Sequence, residues 1–219
     1  MNCPWDSFAQ RTVRFCENQL CGYIVEPANA WSNIGFLIVA ILIYRQERKL
    51  NFFAITAAYL FVGSTAFHST GTFWGEVLDL SAMFLISGTL LTLNIKRHWR
   101  NLTTLQGRLV FWGLFGVSIL LLMIFKPLGI AIFTVQTIFY ILLEIKLSKT
   151  NPPAVGYSDF KQGLMFFAVA FTFWTLDISG IACWPDNHVF TGHSAWHLLT
   201  AAALYYFYRF YTGQVKSAE

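Results

Sequence analysis

The stretch TGHSAWHLLTAAALYYFYRFY covers residues 191–211 and places two histidines, His193 and His197, at the start of an apolar and aromatic run. A helix needs about 20 predominantly apolar residues to cross a bilayer, and this run has that length. Ionisable side chains are costly in such a segment and indicate a functional site. The stretch therefore predicts a membrane helix that carries a chemically active pair near one end.

The composition of the whole chain also favours a membrane protein. Of its 219 residues, 56% are hydrophobic and only 12% are charged, and the mean hydropathy is +0.52. An average soluble domain has about 25% charged residues. Because so few charges cannot cover a water-exposed surface, the composition argues against a soluble domain, and the length suits one domain.

Charged and Pro/Gly-rich breaks divide the chain into seven apolar segments, which predict an all-α protein built as a seven-transmembrane helix bundle. We expect a single domain with an extracytoplasmic segment at residues 1–28, the bundle at 29–212 and a cytoplasmic tail at 213–219. In chain order the segments are Ala30–Tyr44, Phe52–His68, Glu76–Ile95, Leu109–Phe125, Leu128–Leu147, Gly163–Ala182 and Val189–Tyr211.

The lysines and arginines predict the orientation of this bundle. Twelve of the 15 fall on one side of the seven segments, including Arg48 and Lys49, and three fall on the other. Positive residues accumulate on the cytoplasmic side, so the N-terminus is expected outside and the C-terminus in the cytoplasm. The net charge of +4 then reflects orientation and requires no nucleic-acid partner. Short loops and minimal tails favour a bacterial inner membrane.

In this topology four segments bring their polar residues to one depth near the non-cytoplasmic face. The second and sixth segments run outward, and the third and seventh begin there. Convergence of ionisable groups within a membrane indicates a functional site. The converging residues are Ser64, His68, Asp79, Asp177, His193 and His197.

The spacing of the histidines indicates a metal site. His193 and His197 are four residues apart, so both imidazoles lie on one helix face. With His68 they supply three neutral nitrogen ligands, which together with a water form an open catalytic zinc site. Asp79 is placed to accept a proton from that water, and Ser64 to hydrogen-bond the water or a developing oxyanion.

Other interpretations apply to single residues. An isolated pair such as His193 and His197 can cap a helix or decorate an interface, and two histidines can ligate haem. An adjacent i,i+4 pair cannot clamp opposite sides of one iron, however, since a haem in a bundle draws its axial ligands from facing positions. Asp177 is expected to orient a histidine N–H and not to be a ligand. His98 is expected to be solvated, and His188 is not expected to be a ligand.

Several fragments, in this order, resemble the alkaline ceramidase family, within a superfamily that includes the adiponectin receptors and GPI-lipid remodelling proteins. The resemblance implies seven transmembrane helices and a zinc ion held by His68, His193 and His197, with Ser64 and Asp79 beside it. It also implies hydrolysis of the ceramide amide to a sphingoid base and a fatty acid. The fragments are FCEN (15–18), IVEPANAWSNIGF (24–36), GSTAFHST (63–70), WTLD (174–177) and HSAWH (193–197).

The N-terminal part departs from the family pattern. The family binds calcium through an acidic cluster, of which Glu17 and Glu26 are present here as a possible remnant, whereas Arg14 replaces an acidic position. A cation beside a calcium site weakens it, so calcium is doubtful, and Arg14 can instead pair with either glutamate. An equally acceptable interpretation is that Glu26, Asn29 and Asn33 cap a helix and form interhelical hydrogen bonds.

All four cysteines fall on the predicted outer side, where disulfides persist. The family resemblance implies a Cys16–Cys183 disulfide, and a Cys3–Cys21 disulfide is possible because sequence does not determine connectivity. There is no CxxC motif, so zinc binding by cysteine is not expected.

The leading hypothesis is a zinc-dependent membrane amidohydrolase acting on a ceramide-like lipid. One alternative is a receptor-like or structural protein of the same superfamily, in which zinc only joins the helices. Others are a haem or ion-conducting membrane protein, and a hydrolase of another lipid ester or amide.

Overall fold

The computed structural model describes residues 3–47, 51–153 and 155–216. Within these ranges the regular structure is helical, apart from one isolated β-bridge between Gln10 and Thr72. The prediction of an all-α protein is confirmed. The basic residues Arg48 and Lys49, used to predict the orientation, lie outside the described ranges.

Eight α-helices and a short 3-10 turn follow one another along the described part of the chain. They are α1 (Pro27–Ser32), α2 (Ile34–Glu47), α3 (Phe52–Thr70), α4 (Phe73–His98), α5 (Thr104–Ile124), the 3-10 turn (Lys126–Leu128), α6 (Gly129–Thr150), α7 (Ser158–Ile178) and α8 (Gly192–Lys216).

The helix bounds differ from the predicted segments at most ends, and α5 and α7 each begin five residues earlier than predicted. Three further differences concern the first, sixth and seventh segments. The first segment consists of two helices, α1 and α2, and begins at Pro27, whose fixed φ suits the first turn of a helix. The sixth segment ends at Ile178, four residues earlier than predicted. The seventh begins at Gly192 and continues as α8 through Lys216, into the stretch predicted as a tail; residues 217–219 lie outside the described part.

The late start of α8 has a local cause. Thr191 and Ser194 exchange hydrogen bonds: the Thr191 backbone N–H donates to Ser194 Oγ over 2.7 Å, and the Ser194 backbone N–H donates to Thr191 Oγ1 over 3.0 Å. Such reciprocal capping satisfies amides that a helix start leaves without partners. It sets the start of α8 at Gly192, one residue before His193.

Five helical stretches are long and apolar enough to cross a membrane, by length and composition. Helices α7 and α8 are not among them, because polar and tyrosine side chains lower their hydropathy. Seven spans and the orientation of the termini therefore remain predictions. The five stretches are Pro27–Glu47, Phe52–Thr70, Phe73–His98, Thr104–Ile124 and Lys126–Thr150.

The chain divides into two compact units. The first comprises residues 1–79 and 157–210 and contains every candidate site residue. Within it, α3 packs against α1 and α2. The backbones of α3 and α4 approach closely at Gly63, where an added Cβ atom would lie only 2.9 Å from the Leu78 carbonyl oxygen. This approach brings the next residues, Ser64 and Asp79, side by side.

The second unit comprises the described residues within 80–156 and 211–216. In it the 3-10 turn joins α5 to α6, and the two helices pack together. Gln136 links them by donating to Ser118 Oγ over 2.7 Å while it accepts from Ser87 of α4 over 2.5 Å. These buried hydrogen bonds satisfy polar groups that would otherwise be costly in an apolar interior.

The close approach at Gly63 predicts that Gly63→Ala destabilises the protein. The added methyl group meets backbone, which cannot rotate away, so α3 and α4 must move apart. We expect a loss of about 1–3 kcal/mol, as for other overpacked sites. Thermal unfolding of detergent-solubilised protein measures this as a lower Tm.

Gly113→Ala is the matched control, because a Cβ atom there has open space within 4 Å. Replacing a helical glycine by alanine there should leave Tm unchanged or raise it, because the free energy of unfolding should increase by at most about 1 kcal/mol. Equal Tm values for the Gly63→Ala and wild-type proteins would contradict the close packing of α3 on α4.

Candidate metal centre

Three buried histidines from two helices face one another in the first unit. His68 lies in the last turn of α3, and His193 and His197 lie in the first turns of α8. Their side chains are almost fully buried, and each offers one ligand atom within 4.8 Å of the others. The Nε2 atoms of His68 and His193 are 3.2 Å apart. Among the described residues this is the group of three or more ligating side chains that can hold one metal ion.

Glu26 holds the outer nitrogen of His68. The Nδ1 atom of His68 lies 2.7 Å from Glu26 Oε2, and the Glu26 backbone N–H donates to the His68 carbonyl over 3.0 Å. Burial raises the pKa of the Glu26 carboxyl, but the hydrogen bonds from His68 and Arg11 and the charge of the Arg11 guanidinium outweigh burial and bring the pKa down to about 2. The carboxylate therefore accepts from Nδ1–H and leaves the Nε2 lone pair directed at the cluster.

Ser32 holds His197 in the same way. The Ser32 Oγ atom lies 2.8 Å from His197 Nδ1 and 3.0 Å from the carbonyl oxygen of Asn29. A hydroxyl has one proton to donate, and a carbonyl oxygen can only accept. Ser32 therefore donates to Asn29 and accepts from His197 Nδ1–H, which leaves Nε2 of His197 with a free lone pair.

The ring of His193 is positioned by stacking. Phe15 lies against it with ring centroids 3.7 Å apart and planes 25° apart. In the described residues the buried Nδ1 atom of His193 has no hydrogen-bond partner. The three histidines thus have three different outer neighbours: a carboxylate, a hydroxyl and an aromatic ring.

Asp177 organises backbone around the cluster. Its two carboxylate oxygens accept the backbone N–H groups of Cys16, over 2.9 Å, and His193, over 3.0 Å. Asp177 was expected to orient a histidine N–H, and the N–H of His193 that it accepts is that of the main chain and not of the ring. Gly192 allows this, since a Cβ atom there would lie 2.9 Å from the Asp177 side chain.

Ser64 and Asp79 lie side by side, as the close approach of α3 and α4 requires. The Ser64 hydroxyl is buried and faces the Asp79 carboxylate, yet no described group completes a hydrogen bond of normal geometry with it. Asp79 itself is partly accessible. The pair combines an uncommitted hydroxyl with a reachable carboxylate.

The possible calcium-site residues have other partners. Glu17 accepts the backbone N–H groups of Ala28, over 2.9 Å, and Asn29, over 3.0 Å, and lies 3.0 Å from His188 Nδ1. Glu26 pairs with Arg11, whose guanidinium nitrogen lies 2.5 Å from Oε1. The hypothesis that Arg14 supplies this cation was wrong: Arg14 is exposed, and Arg11, three residues earlier in sequence, makes the ion pair.

Interhelical and capping interactions account for the nearby asparagines. Asn29 accepts from the Thr191 hydroxyl over 2.7 Å, which links α1 to the start of α8. The Asn33 amide donates to the carbonyl of Asn29 over 3.0 Å. The side chain of Glu26 does not cap α1, although Glu26 occupies the N-cap position.

Two disulfides tie down the segment that precedes α1. Cys16 is joined to Cys183 in the α7–α8 connection, and Cys3 is joined to Cys21. The family resemblance implied the first, and the sequence left the second open. Since Phe15 stacks on His193 and Cys16 donates to Asp177, the first disulfide joins the residues next to the cluster.

The donor set suits zinc. Three imidazoles whose inner nitrogens face one another can hold a metal ion, and histidine nitrogen is among the ligands that zinc takes in proteins. The Nε2 atoms of His68 and His193 lie 3.2 Å apart, a distance at which one ring donates to the other or both nitrogens face a bound cation. The residues present therefore fit a metal ion.

Sequence reasoning missed three contributors: Arg11, Phe15 and Ser32. Arg11 and Phe15 precede the first helix, where no periodicity predicts their neighbours. Ser32 lies among small and polar residues that resemble ordinary helix-start composition. The available signals were that Ser32 lies in the same fragment as Glu26, and Phe15 in the same fragment as Glu17.

Comparisons with known proteins show similarity over most of the chain. A family model described as Ceramidase matches residues 9–216. The chain is also similar to human alkaline ceramidase 1, with 25% identity over 215 residues that cover 91% of this chain and 81% of that protein.

The Ser32–His197 contact predicts that Ser32→Ala weakens metal binding. The substitution removes the acceptor of Nδ1–H and frees the ring to turn, and losses of about 10- to 100-fold in affinity are typical of such partners. Competition with a chromophoric zinc chelator measures the change. Ser179→Ala is the control, because that exposed hydroxyl bonds the carbonyl of Leu176 in the preceding helical turn. Unchanged affinity in Ser32→Ala would contradict the assigned contact.

The two disulfides are predicted to differ in effect. Removing Cys16–Cys183, which spans 167 residues, should cost up to about 5 kcal/mol of stability, and removing Cys3–Cys21, which spans 18, up to about 3. We also expect weaker zinc binding only in the first pair of alanine variants, since Phe15 and Asp177 flank that disulfide. Thermal unfolding and chelator competition test both effects. Equal losses of zinc affinity in the two pairs would rule out this role.

Proposed function

The chain belongs to the ceramidase family, and from that premise we propose that it hydrolyses the N-acyl amide of a ceramide-like lipid with the help of zinc. The observation that carries the proposal is the cluster of His68, His193 and His197, whose ligand atoms lie within 4.8 Å of one another beside Ser64 and Asp79. The products are a sphingoid base and a fatty acid.

His68, His193 and His197 would hold the ion. When bound, zinc acts as a Lewis acid toward a carbonyl oxygen and makes water a stronger nucleophile at neutral pH. The outer contacts of Glu26 and Ser32 keep the Nε2 lone pairs of two ligands directed inward. This arrangement supports a site prepared for a cation before substrate arrives.

Asp79 is proposed as the general base and then the general acid. It takes a proton from the attacking water as the new C–O bond forms, and it returns that proton to the amide nitrogen as the C–N bond breaks. No redox partner is needed, because water supplies both added fragments. Partial accessibility of Asp79 supports this role, since a fully enclosed carboxylate could not exchange protons with substrate.

Ser64 is proposed to stabilise the developing oxyanion. Its hydroxyl is buried beside the Asp79 carboxylate and makes no hydrogen bond of normal geometry within the described residues, so it can turn to donate to a substrate oxygen. A buried hydroxyl without a partner is otherwise costly, which supports a ligand as its missing acceptor.

We place this reaction in a seven-span bundle with its N-terminus outside and its C-terminus in the cytoplasm. The five apolar helical stretches support membrane insertion, and the sequence distribution of basic residues supports the orientation. The site then lies near the non-cytoplasmic face, where acyl chains can enter from the bilayer.

The experiment measures zinc content and fatty-acid release from ceramides by purified protein. Wild type should bind one zinc and release fatty acid. His193→Ala should lose both, whereas Asp79→Asn should keep the zinc and lower kcat by about 10²- to 10⁴-fold. Ser64→Ala should lower kcat by about 10²- to 10³-fold.

His98→Ala and Asp159→Asn are matched controls. His98 is the last residue of α4. Asp159, at the start of α7, pairs with Arg209 of α8, so both variants should retain zinc and activity.

Full activity in His193→Ala or Asp79→Asn would overturn the mechanism. Stoichiometric zinc without turnover of any lipid would favour a receptor-like or structural protein, and a Soret band or ion flux without zinc would favour the haem or ion-conducting alternative. Release from an ester but not a ceramide would reassign the substrate.

A further inference from the structure

Arg11 is a buried cation in a segment without helices. It precedes α1 by 16 residues, yet its side chain is only 5% exposed. Burying a guanidinium is unfavourable unless an anion and hydrogen bonds compensate, so such a position requires an explanation. The anion is Glu26, which is fully buried at the start of α1.

The Glu26 carboxylate divides its two oxygens between a cation and a histidine. Oε1 lies 2.5 Å from an Arg11 guanidinium nitrogen, and Oε2 lies 2.7 Å from Nδ1 of His68. The three side chains form a linear series that ends at the histidine cluster. A change at Arg11 can therefore reach His68 through a single intermediate group.

Arg11 is held by more than its charge. Its backbone N–H donates to the carbonyl of Gly71 over 3.2 Å, directly after α3. Its guanidinium carbon lies 5.8 Å from the ring centroid of Phe15 and 6.0 Å from that of Phe67. Phe15 stacks on His193, and Phe67 precedes His68. Arg11 thus packs against neighbours of two candidate ligands.

We propose that Arg11 is a positioning residue for the metal centre, which sets the orientation of His68 through Glu26. This inference rests on the proposed metal site at His68, His193 and His197, and it deepens that proposal by adding a residue of the N-terminal segment. Arg11 touches neither the ion nor the substrate.

The physical argument concerns charge and geometry. The Glu26 carboxylate is removed from water, and without Arg11 its negative charge would have His68 as its remaining charge-bearing neighbour among the described residues. A buried carboxylate that loses one partner turns toward any other donor or draws in water. Either movement would turn or release Nδ1 of His68, and Nε2 would no longer point at the cluster.

Arginine also has a particular fit here. Its planar guanidinium can pair with a carboxylate and stack on aromatic rings at the same time, whereas an ammonium group is a compact point charge. Lysine should therefore restore the charge without the aromatic packing. Methionine should restore most of the volume and neither of the other two properties.

The test compares Co²⁺ and Zn²⁺ affinity and the visible Co²⁺ spectrum among purified Arg11→Met, Arg11→Lys and wild-type proteins. We expect Arg11→Met to bind either metal about 10- to 100-fold more weakly, as for other outer partners of ligands, and to change the Co²⁺ d–d bands. Arg11→Lys should recover part of the affinity. Arg14→Met is the matched control, because it removes the same charge from an exposed position three residues later, and it should bind with an affinity close to that of wild type.

Coupling to Glu26 is tested with Glu26→Gln and with the double variant Arg11→Met/Glu26→Gln. If Arg11 acts through Glu26, adding Arg11→Met to Glu26→Gln should cause no further loss of metal affinity. The double variant leaves no unpaired buried charge from this ion pair. It therefore still tests the connection from Arg11 through Glu26 to His68 if Arg11→Met alone does not fold.

The outcomes separate this inference from the proposed function. Wild-type affinity and spectrum in Arg11→Met, or additive losses in the double variant, would overturn the role of Arg11 even if the enzyme cleaves ceramides. Metal binding that depends on Arg11 in a protein that hydrolyses no lipid would support Arg11 and count against the proposed function. A wild-type protein that binds neither metal would overturn both.

Discussion

Three imidazole rings face one another inside the protein, and the groups that hold the outer side of each ring determine the surroundings of the candidate site. The Nε2 atoms of His68 and His193 lie 3.2 Å apart, out of contact with bulk water. At this distance the two nitrogens share a proton in a hydrogen bond or face a bound cation, and both arrangements require the rings to be held in place. Glu26 holds the outer nitrogen of His68, Ser32 holds that of His197, and Phe15 stacks on the ring of His193, so all three rings are oriented in a way that suits a metal ion.

The segment before α1 belongs to the site as much as the helices do. Phe15 stacks on His193, Cys16 is covalently joined to Cys183 and donates to Asp177, and Arg11 pairs with Glu26. These contacts reach three separate helices of the first unit. The segment has little regular structure, so disulfides and side-chain contacts replace the rigidity that a helix would provide.

The parts of the site that could be predicted are those with a repeating or costly pattern. His193 and His197 were identifiable because a four-residue spacing places them on one helix face, and His68 and Asp79 because ionisable residues are rare in apolar helices. Ser32, Phe15 and Arg11 carry no such pattern. A serine near a helix start and an arginine in a loop are common, so only their actual neighbours reveal a role. Arg14 is nearer than Arg11 to Glu17 in sequence, which favours Arg14 as the cation that pairs with a glutamate. Nearness in sequence, however, says little about distance in space.

The sequence alone predicts the helical class, the approximate helices and the three histidines, because hydropathy and helical periodicity are local properties of the chain. Tertiary structure decided which group Asp177 binds, which arginine faces Glu26 and which cysteine pairs with which. These depend on close approaches such as that of α3 and α4 at Gly63, where the absence of a side chain lets two backbones meet. Contacts between residues distant in sequence are set by packing of the whole first unit, and no local pattern encodes them.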